Sequence, residues 1–201
     1  MTSIISEGIA KWLTRERVIL NDDQQLYSYA VHSLFLGLLP VVIAVALGVF
    51  FGILYESFLM LLPFMLLRKF SGGFHFDSAK LCIVCSTVLI ALALGLVKFL
   101  LSGRFLIPLL ICVILSAISI FANSPIESSA RKLSAKERTV FRLIARILVT
   151  VILLMFLLLF FLGSNSAIPI GVGLVIAAFL QLPCILGKLR KKQNCQEQYT
   201  I

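Results

Sequence analysis

The chain has 201 residues, 60% of them hydrophobic and 13% charged, with a mean hydropathy of +1.07 and a formal net charge of +9. Soluble domains are about 45–50% apolar and about 25% charged, so 18 basic and 9 acidic side chains cannot clothe this much protein in water. Disorder, a collagen-like fibre and a disulfide scaffold are excluded as well. What remains is an all-α, polytopic helical membrane protein with about five to six hydrophobic helices and an N-terminal amphipathic helix.

Residues 1–33 form the first expected region. They hold Glu7, Lys11, Arg15, Glu16, Arg17, Asp22 and Asp23 and no apolar core of the kind a cleavable signal needs. At 100° per residue, Ile4, Ile5, Ile9, Trp12, Leu13, Ile19 and Leu20 fall on one broad arc into which Glu16 intrudes. A helix lying in the membrane interface is expected.

Residues 34–187 form the membrane region. Leu34–Tyr55, Leu81–Val97, Phe105–Ala122, Ile147–Gly163 and Ala167–Gly187 carry no charge over 22, 17, 18, 17 and 21 residues. A helix needs about 20 residues, within a range of about 17–25, to cross hydrocarbon, so five spans are expected. The block Phe58–Leu67 has only 10 residues. It is expected to be a re-entrant or kinked piece paired with the first span, with Glu56 at the bend; backbone at that depth must pack against protein.

Basic residues set the expected orientation. Arg131, Lys132, Lys136, Arg138, Arg142 and Arg146 lie between two spans, Lys188, Arg190, Lys191 and Lys192 lie in the tail 188–201, and the turn Ser164–Ser166 between them has none. The positive-inside rule puts the 123–146 loop, the tail and, working backwards, the segment 68–80 in the cytoplasm. These cations are juxtamembrane, and attraction to anionic lipid accounts for them without nucleic acid. A docking surface for an acidic partner is the sharper alternative.

The chemical menu is short. The five cysteines are not an even extracellular set: Cys82, Cys85, Cys112 and Cys184 sit in apolar blocks and Cys195 in the tail. Cys85, Cys112 and Cys184 are expected to be buried small hydrophobes. With two histidines, no H-E-x-x-H and no G-x-S-x-G, a zinc peptidase and the usual serine hydrolase signatures are excluded, and no metal or cofactor is expected. Gly171 and Gly173 permit close helix contact, and a homodimer stays open.

One stretch interrupts the apolar blocks, Arg68-Lys69-Phe70-Ser71-Gly72-Gly73-Phe74-His75-Phe76-Asp77-Ser78-Ala79-Lys80-Leu81-Cys82. Ser78 or Asp77 suits the N-cap of the next span. That puts Cys82 near its first turn, where the helix dipole and nearby cations favour thiolate over thiol. A reversal at Gly72–Gly73 would bring the His75 imidazole within about 3 Å of the sulfur, as a nucleophile–base pair requires. On spacing alone a structural, gating or lipid-binding loop fits equally well.

Arg68, Gly72, Gly73, His75 and Cys82, with the pattern Gly-Gly-x-His-x6-Cys, resemble the signature of the accessory gene regulator B (AgrB) family of bacterial membrane cysteine endopeptidases. The likeness covers nearly the whole chain, including Asn123-Ser124-Pro125-Ile126-Glu127 and the basic loop after it. It implies a multi-pass protein of the bacterial cell membrane, with its active site at the cytoplasmic face. It implies a His75–Cys82 dyad that cleaves a small amphipathic AgrD-like propeptide and passes the acyl group on to form a cyclic thiolactone or lactone signal for quorum sensing. Arg68, Gly72 and Gly73 would support the loop, with Gly73 permitting the turn before His75. Arg131, Lys132, Lys136 and Arg138 would suit an acidic propeptide tail.

Two stretches depart from the family pattern. Tyr29-Ala30-Val31-His32 stands where members often carry Tyr-Gly-Leu-Glu, and Ser128-Ser129-Ala130-Arg131-Lys132 blurs an Asn-Lys-Pro pattern. The alternative of another class is a small transporter or channel, which would need polar side chains inside the spans.

Overall fold

The computed structural model describes residues 2–16, 18–19, 23–72, 79–103, 106–126 and 135–187; at 2–5, 29, 32–36, 79–80, 82 and 135 it describes the backbone alone. Among these residues the main helices follow in order: α1 Thr2–Arg15, α2 Gln24–Phe51, α3 Leu54–Ser71, α4 Ala79–Ser102, α5 Leu106–Asn123, α6 Ala135–Phe161 and α7 Ala167–Phe179. The chain divides into two compact units, Met1–Ile43 and Ala44–Ile201, with the boundary inside α2.

In the first unit α1 is helical as expected. Ser6 and Ala10, one turn apart, are buried, whereas Trp12, assigned to the apolar arc, is 58% exposed. An amphipathic interfacial helix would keep such a ring at the headgroup level.

Among its described residues the second unit holds four helices long and apolar enough to cross a membrane: Ile83–Ser102, Leu106–Asn123, Lys136–Phe161 and Ala167–Gly187. The fifth expected span is represented by the apolar stretch Gly37–Phe51 of α2. Outward-facing side chains are themselves apolar, among them Leu92, Leu96, Ile111, Leu115, Val151 and Leu158. Water does not tolerate so broad an apolar surface, and hydrocarbon does. Fold and composition therefore agree on a polytopic helical membrane protein.

The expected bend at Glu56 is displaced. α2 stops at Phe51 because Gly52 takes φ +70°, a left-handed conformation that glycine adopts freely at a helix C-terminus. The Gly52 and Ile53 amides close the end of α2 by donating to Val49 O and Gly48 O. Glu56 lies within the first turn of α3. The block Phe58–Leu67 is thus the middle of an 18-residue helix, about 27 Å long at 1.5 Å per residue, because Arg68 and Lys69 continue the helix rather than ending it. Ser57 Oγ donates to Ala44 O at 2.8 Å, so the part of α2 from Ala44 to Phe51 and the start of α3 form an antiparallel hairpin. At the same end Lys98 Nζ of α4 donates to Phe51 O at 2.9 Å.

α7 is the centre of the second unit, packing most extensively on α3 and α5 and also on α4 and α6. Every residue from Ala167 to Leu174 is buried, as expected of a helix that is apolar all round. Without a hydrophobic drive between helices in lipid, close van der Waals contact has to hold them together, and small residues permit it. Gly173 is such a residue: a Cβ there would collide with the Met60 carbonyl oxygen of α3. At Gly171 a Cβ would meet the Phe156 ring edge at 2.7 Å.

Cys85 and Cys112 are exposed and Cys184 is half-buried, which corrects the expectation of burial. A small apolar side chain gains little from the core when the surroundings are hydrocarbon. Within the expected span Ala167–Gly187 the helix is interrupted by a turn at Leu180–Gln181, because Pro183 has no N–H for the Phe179 carbonyl and its ring crowds that oxygen. A short helical stretch then covers 182–187.

Gly173→Ala is expected to destabilise the protein by about 1–3 kcal/mol through overpacking, read as a lowered thermal unfolding midpoint in detergent. Gly95→Ala, with open space around the added methyl, should leave the midpoint unchanged or slightly raised.

Candidate functional site

The end of the second unit opposite the Gly52 turn gathers the C-terminal ends of α3, α5 and α7. α3 finishes at Ser71, and Gly72 leaves it with φ +75°. Gly72 forms an isolated parallel bridge with Ile126, whose N–H donates to Ser71 O at 2.9 Å. A Cβ on Gly72 would run into the Ile126 carbonyl oxygen, so both the dihedral and the close approach require glycine here. Gly72 thus supplies part of the reversal expected at Gly72–Gly73; Gly73, to which the resemblance assigns the turn before His75, lies outside the described residues.

Gln181, placed in the break after α7, is fully buried at this junction. Its Nε2 lies 3.5 Å from Ser71 O and 3.4 Å from Ser124 Oγ. These are long hydrogen bonds, but they join three segments that are 57 and 110 residues apart in sequence. The buried polar side chains among the described residues are Ser6, Ser57, Ser71, Ser124 and Gln181. Three of the five meet here.

Beside the junction, α5 and α6 enclose a cavity of about 420 Å³ lined by Ala122, Asn123, Ser124, Pro125, Arg138, Arg142 and Arg146. The three arginines recur every fourth residue, on one face of α6. The Arg146 guanidinium sits 4.8 Å from the centroid of the Phe121 ring, and its Nε donates to Phe121 O at 3.4 Å. Such a cleft offers guanidinium groups to an anion.

Of the expected site residues, Arg68 is in the last turn of α3 with its guanidinium 5.8 Å from the centre of the Phe64 ring. Gly72 is in the bridge, and Lys136 and Arg138 are exposed in the first turns of α6. Cys82 is the fourth residue of α4 by its backbone, as the capping argument expects, and its side chain lies outside the described residues. Gly73, His75, Arg131 and Lys132 also lie outside them, as do the capping candidates Asp77 and Ser78. Four participants in this end were not singled out from the sequence as site residues: Ser71, Ser124, Ile126 and Gln181. Only Gln181 carried a signal, as a lone amide in a 21-residue uncharged block. Among the described residues no cluster of three or more His, Cys, Asp or Glu could hold a metal ion.

These features define a small multi-pass helical membrane protein in whose second unit three of the four described buried polar side chains, Ser71, Ser124 and Gln181, are gathered at one end. The chain matches the family described as accessory gene regulator B over residues 6–183, and it belongs to that family. It is 29% identical over 105 residues, 52% of this chain and 47% of the relative, to AgrB-like protein 2 of Clostridium perfringens strain 13. It is 25% identical over 95 residues, 47% of this chain and 42% of the relative, to an AgrB-like protein of Clostridium perfringens strain SM101. The chain thus spans a little under half the length of the curated relatives it matches. No solved structure matches it.

Gly72→Ala should break the Ser71–Ile126 bridge while leaving α3 intact. Hydrogen–deuterium exchange of peptides covering Ile126 in nanodiscs is expected to speed up by about tenfold or more, since loss of one net hydrogen bond of about 1.5 kcal/mol corresponds to that factor. Unaltered exchange would show that the bridge does not hold this segment.

Proposed function

We propose that this chain is a membrane cysteine endopeptidase that matures a quorum-sensing propeptide, with His75 as base and Cys82 as nucleophile. The observation that carries the reading is the family match over residues 6–183, which spans the complete Gly-Gly-x-His-x6-Cys pattern from Gly72 to Cys82. The backbone position of Cys82 in the first turn of α4 supports it, because a helix N-terminus stabilises a thiolate.

The reaction balances with no added reactant. His75 takes the Cys82 thiol proton, and the thiolate adds to the scissile carbonyl of the propeptide. The amide C–N bond breaks as the imidazolium protonates the departing amine, which leaves with the C-terminal tail. The acyl group is now a thioester on Cys82. A thiol or hydroxyl within the bound peptide attacks that thioester and gives its proton to His75. Ring closure expels the Cys82 thiolate, which the proton restores to the thiol. Exchange of one thioester for another retains acyl-transfer reactivity, and a water-poor site favours capture over hydrolysis.

The arginine-lined cavity fits the acidic part of such a substrate. Carboxylates of the departing tail would pair with Arg142 and its neighbours, while Arg68 would hold a carboxylate or the peptide backbone nearer the loop. The same end carries Lys69, Lys136, Arg138 and Arg142, which supports its assignment to the cytoplasm under the positive-inside rule. A transporter would need polar side chains along the spans; three of the four buried in the second unit sit at one end.

Cys82→Ala and His75→Ala should each abolish cleavage of a co-expressed propeptide, seen by mass measurement of the products, with membrane insertion unchanged. Arg142→Glu is expected to raise KM for an acidic-tailed propeptide by about tenfold or more, with a smaller effect on kcat, as loss of a charge-assisted hydrogen bond of about 1.5–3 kcal/mol would do. Cleavage by the Cys82→Ala protein would refute the enzyme reading.

A further inference from the structure

The cavity between α5 and α6 is lined by Arg138, Arg142 and Arg146 and by no acidic side chain. Like charges four residues apart on one helix repel and destabilise it, and here three guanidinium groups border one space of about 420 Å³. An anion in that space relieves the repulsion and takes up their donors. Arg146 is held ready for one. Its Nε donates to Phe121 O at 3.4 Å, and its guanidinium lies 4.8 Å from the centroid of the Phe121 ring. The two terminal amino groups of the fork remain to donate to a ligand.

The depth of the cavity narrows the choice of anion. Arg146 is the last charged residue before the uncharged stretch Ile147–Gly163, 17 residues long. That is about 26 Å of helix at 1.5 Å per residue, close to the ~30 Å of a hydrocarbon core. Arg146 therefore stands where hydrocarbon gives way to headgroups, at the level of lipid phosphates. Asn123, the last residue of α5, lines the same cavity.

Toward the middle of the membrane the cavity continues as an apolar groove, since α5 and α6 pack on each other and touch at Phe121 and Arg146. On α5, Phe121, Ile118 and Ile114 recur every three or four residues and so share one face; all three are exposed. On α6, Thr150, Leu153 and Leu157 continue the face of Arg146. Thr150 returns its hydroxyl to Arg146 O at 2.9 Å, so it demands no polar neighbour. A cationic cleft above an apolar groove matches a molecule with an anionic head and hydrocarbon chains. A soluble anion or an acidic peptide uses only the cleft.

We infer that the space between α5 and α6 is a binding site for one anionic phospholipid, its phosphate held by Arg146 and Arg142 and an acyl chain lying along Phe121, Ile118 and Ile114. Basic pockets between spans suit such headgroups. The inference goes beyond the enzyme reading and does not rest on it, because the lipid binds with no propeptide present. Arg142 is common to both. There the acidic tail of a propeptide competes with the phosphate, whereas Arg146, one turn deeper, belongs to the lipid.

The test uses the full chain in nanodiscs of phosphatidylcholine with a minor share of phosphatidylglycerol, followed by native mass spectrometry of the lipid each released chain retains. Wild type should retain one phosphatidylglycerol in preference to phosphatidylcholine. Arg142→Gln/Arg146→Gln should lower that retention by about tenfold or more, as loss of charge-assisted hydrogen bonds does. Lys69→Gln/Lys136→Gln removes as much charge from exposed positions outside the cavity and should leave retention unchanged. Glycerol phosphate, which has the head without the chains, should not displace the lipid. Cys82→Ala should retain it as wild type does, so failure of the enzyme reading is told apart from failure of this one.

Retention with no preference for phosphatidylglycerol overturns the inference. So does an equal loss in the two double variants, which marks general attraction to the surface. Displacement by glycerol phosphate makes the cleft a site for free phosphate, and uptake of an acidic peptide with no phosphatidylglycerol retained makes it a peptide site; both are contrary. If the double arginine variant does not accumulate, Arg146→Gln alone decides, and unchanged retention in it is contrary as well.

Discussion

The Ser71 carbonyl oxygen is the point on which this end of the molecule depends. It accepts the Ile126 N–H at 2.9 Å and faces the Gln181 amide at 3.5 Å. Helix C-termini leave carbonyls without intrahelical partners, and inside a membrane protein those groups must be satisfied by protein. The end of α3 meets this need with donors from the segments that follow α5 and α7. Three helix ends become one junction, from which the chain departs toward His75 through Gly72.

Packing along the bundle serves the same arrangement. The small residues of α7 let α3 approach until Gly173 meets the Met60 carbonyl, which fixes α7 against α3 along its length. Pro183 then breaks the helix where Gln181 can turn its amide into the junction. A longer uninterrupted α7 would carry that residue past the end of α3 on a regular helical face.

The spans were legible because lipid demands long uncharged helices, and Leu106–Asn123 matches its apolar block almost residue for residue. α3 was read as too short because its block was closed at Arg68, although basic side chains are favourable at a helix C-terminus. Hydropathy could not separate inside from outside: Cys112 and Ile111 face outward while Val113 is buried, since both environments are apolar. The motif was read from spacing and from its family likeness, and Gly73, His75 and the Cys82 side chain lie outside the described residues. The junction was not, because its partners stand 57 and 110 residues apart and one contributes only its backbone carbonyl.

The central claim, that Cys82 carries the acyl group, is tested most directly by trapping it. The full-length protein would be given a propeptide whose ring-closing thiol or hydroxyl is replaced by hydrogen, quenched in acid, and digested for mass measurement. The account predicts a thioester between Cys82 and the N-terminal part of the propeptide, released by hydroxylamine. Efficient cleavage of that peptide with the acyl group found on another residue, or with no covalent intermediate on any, would contradict it.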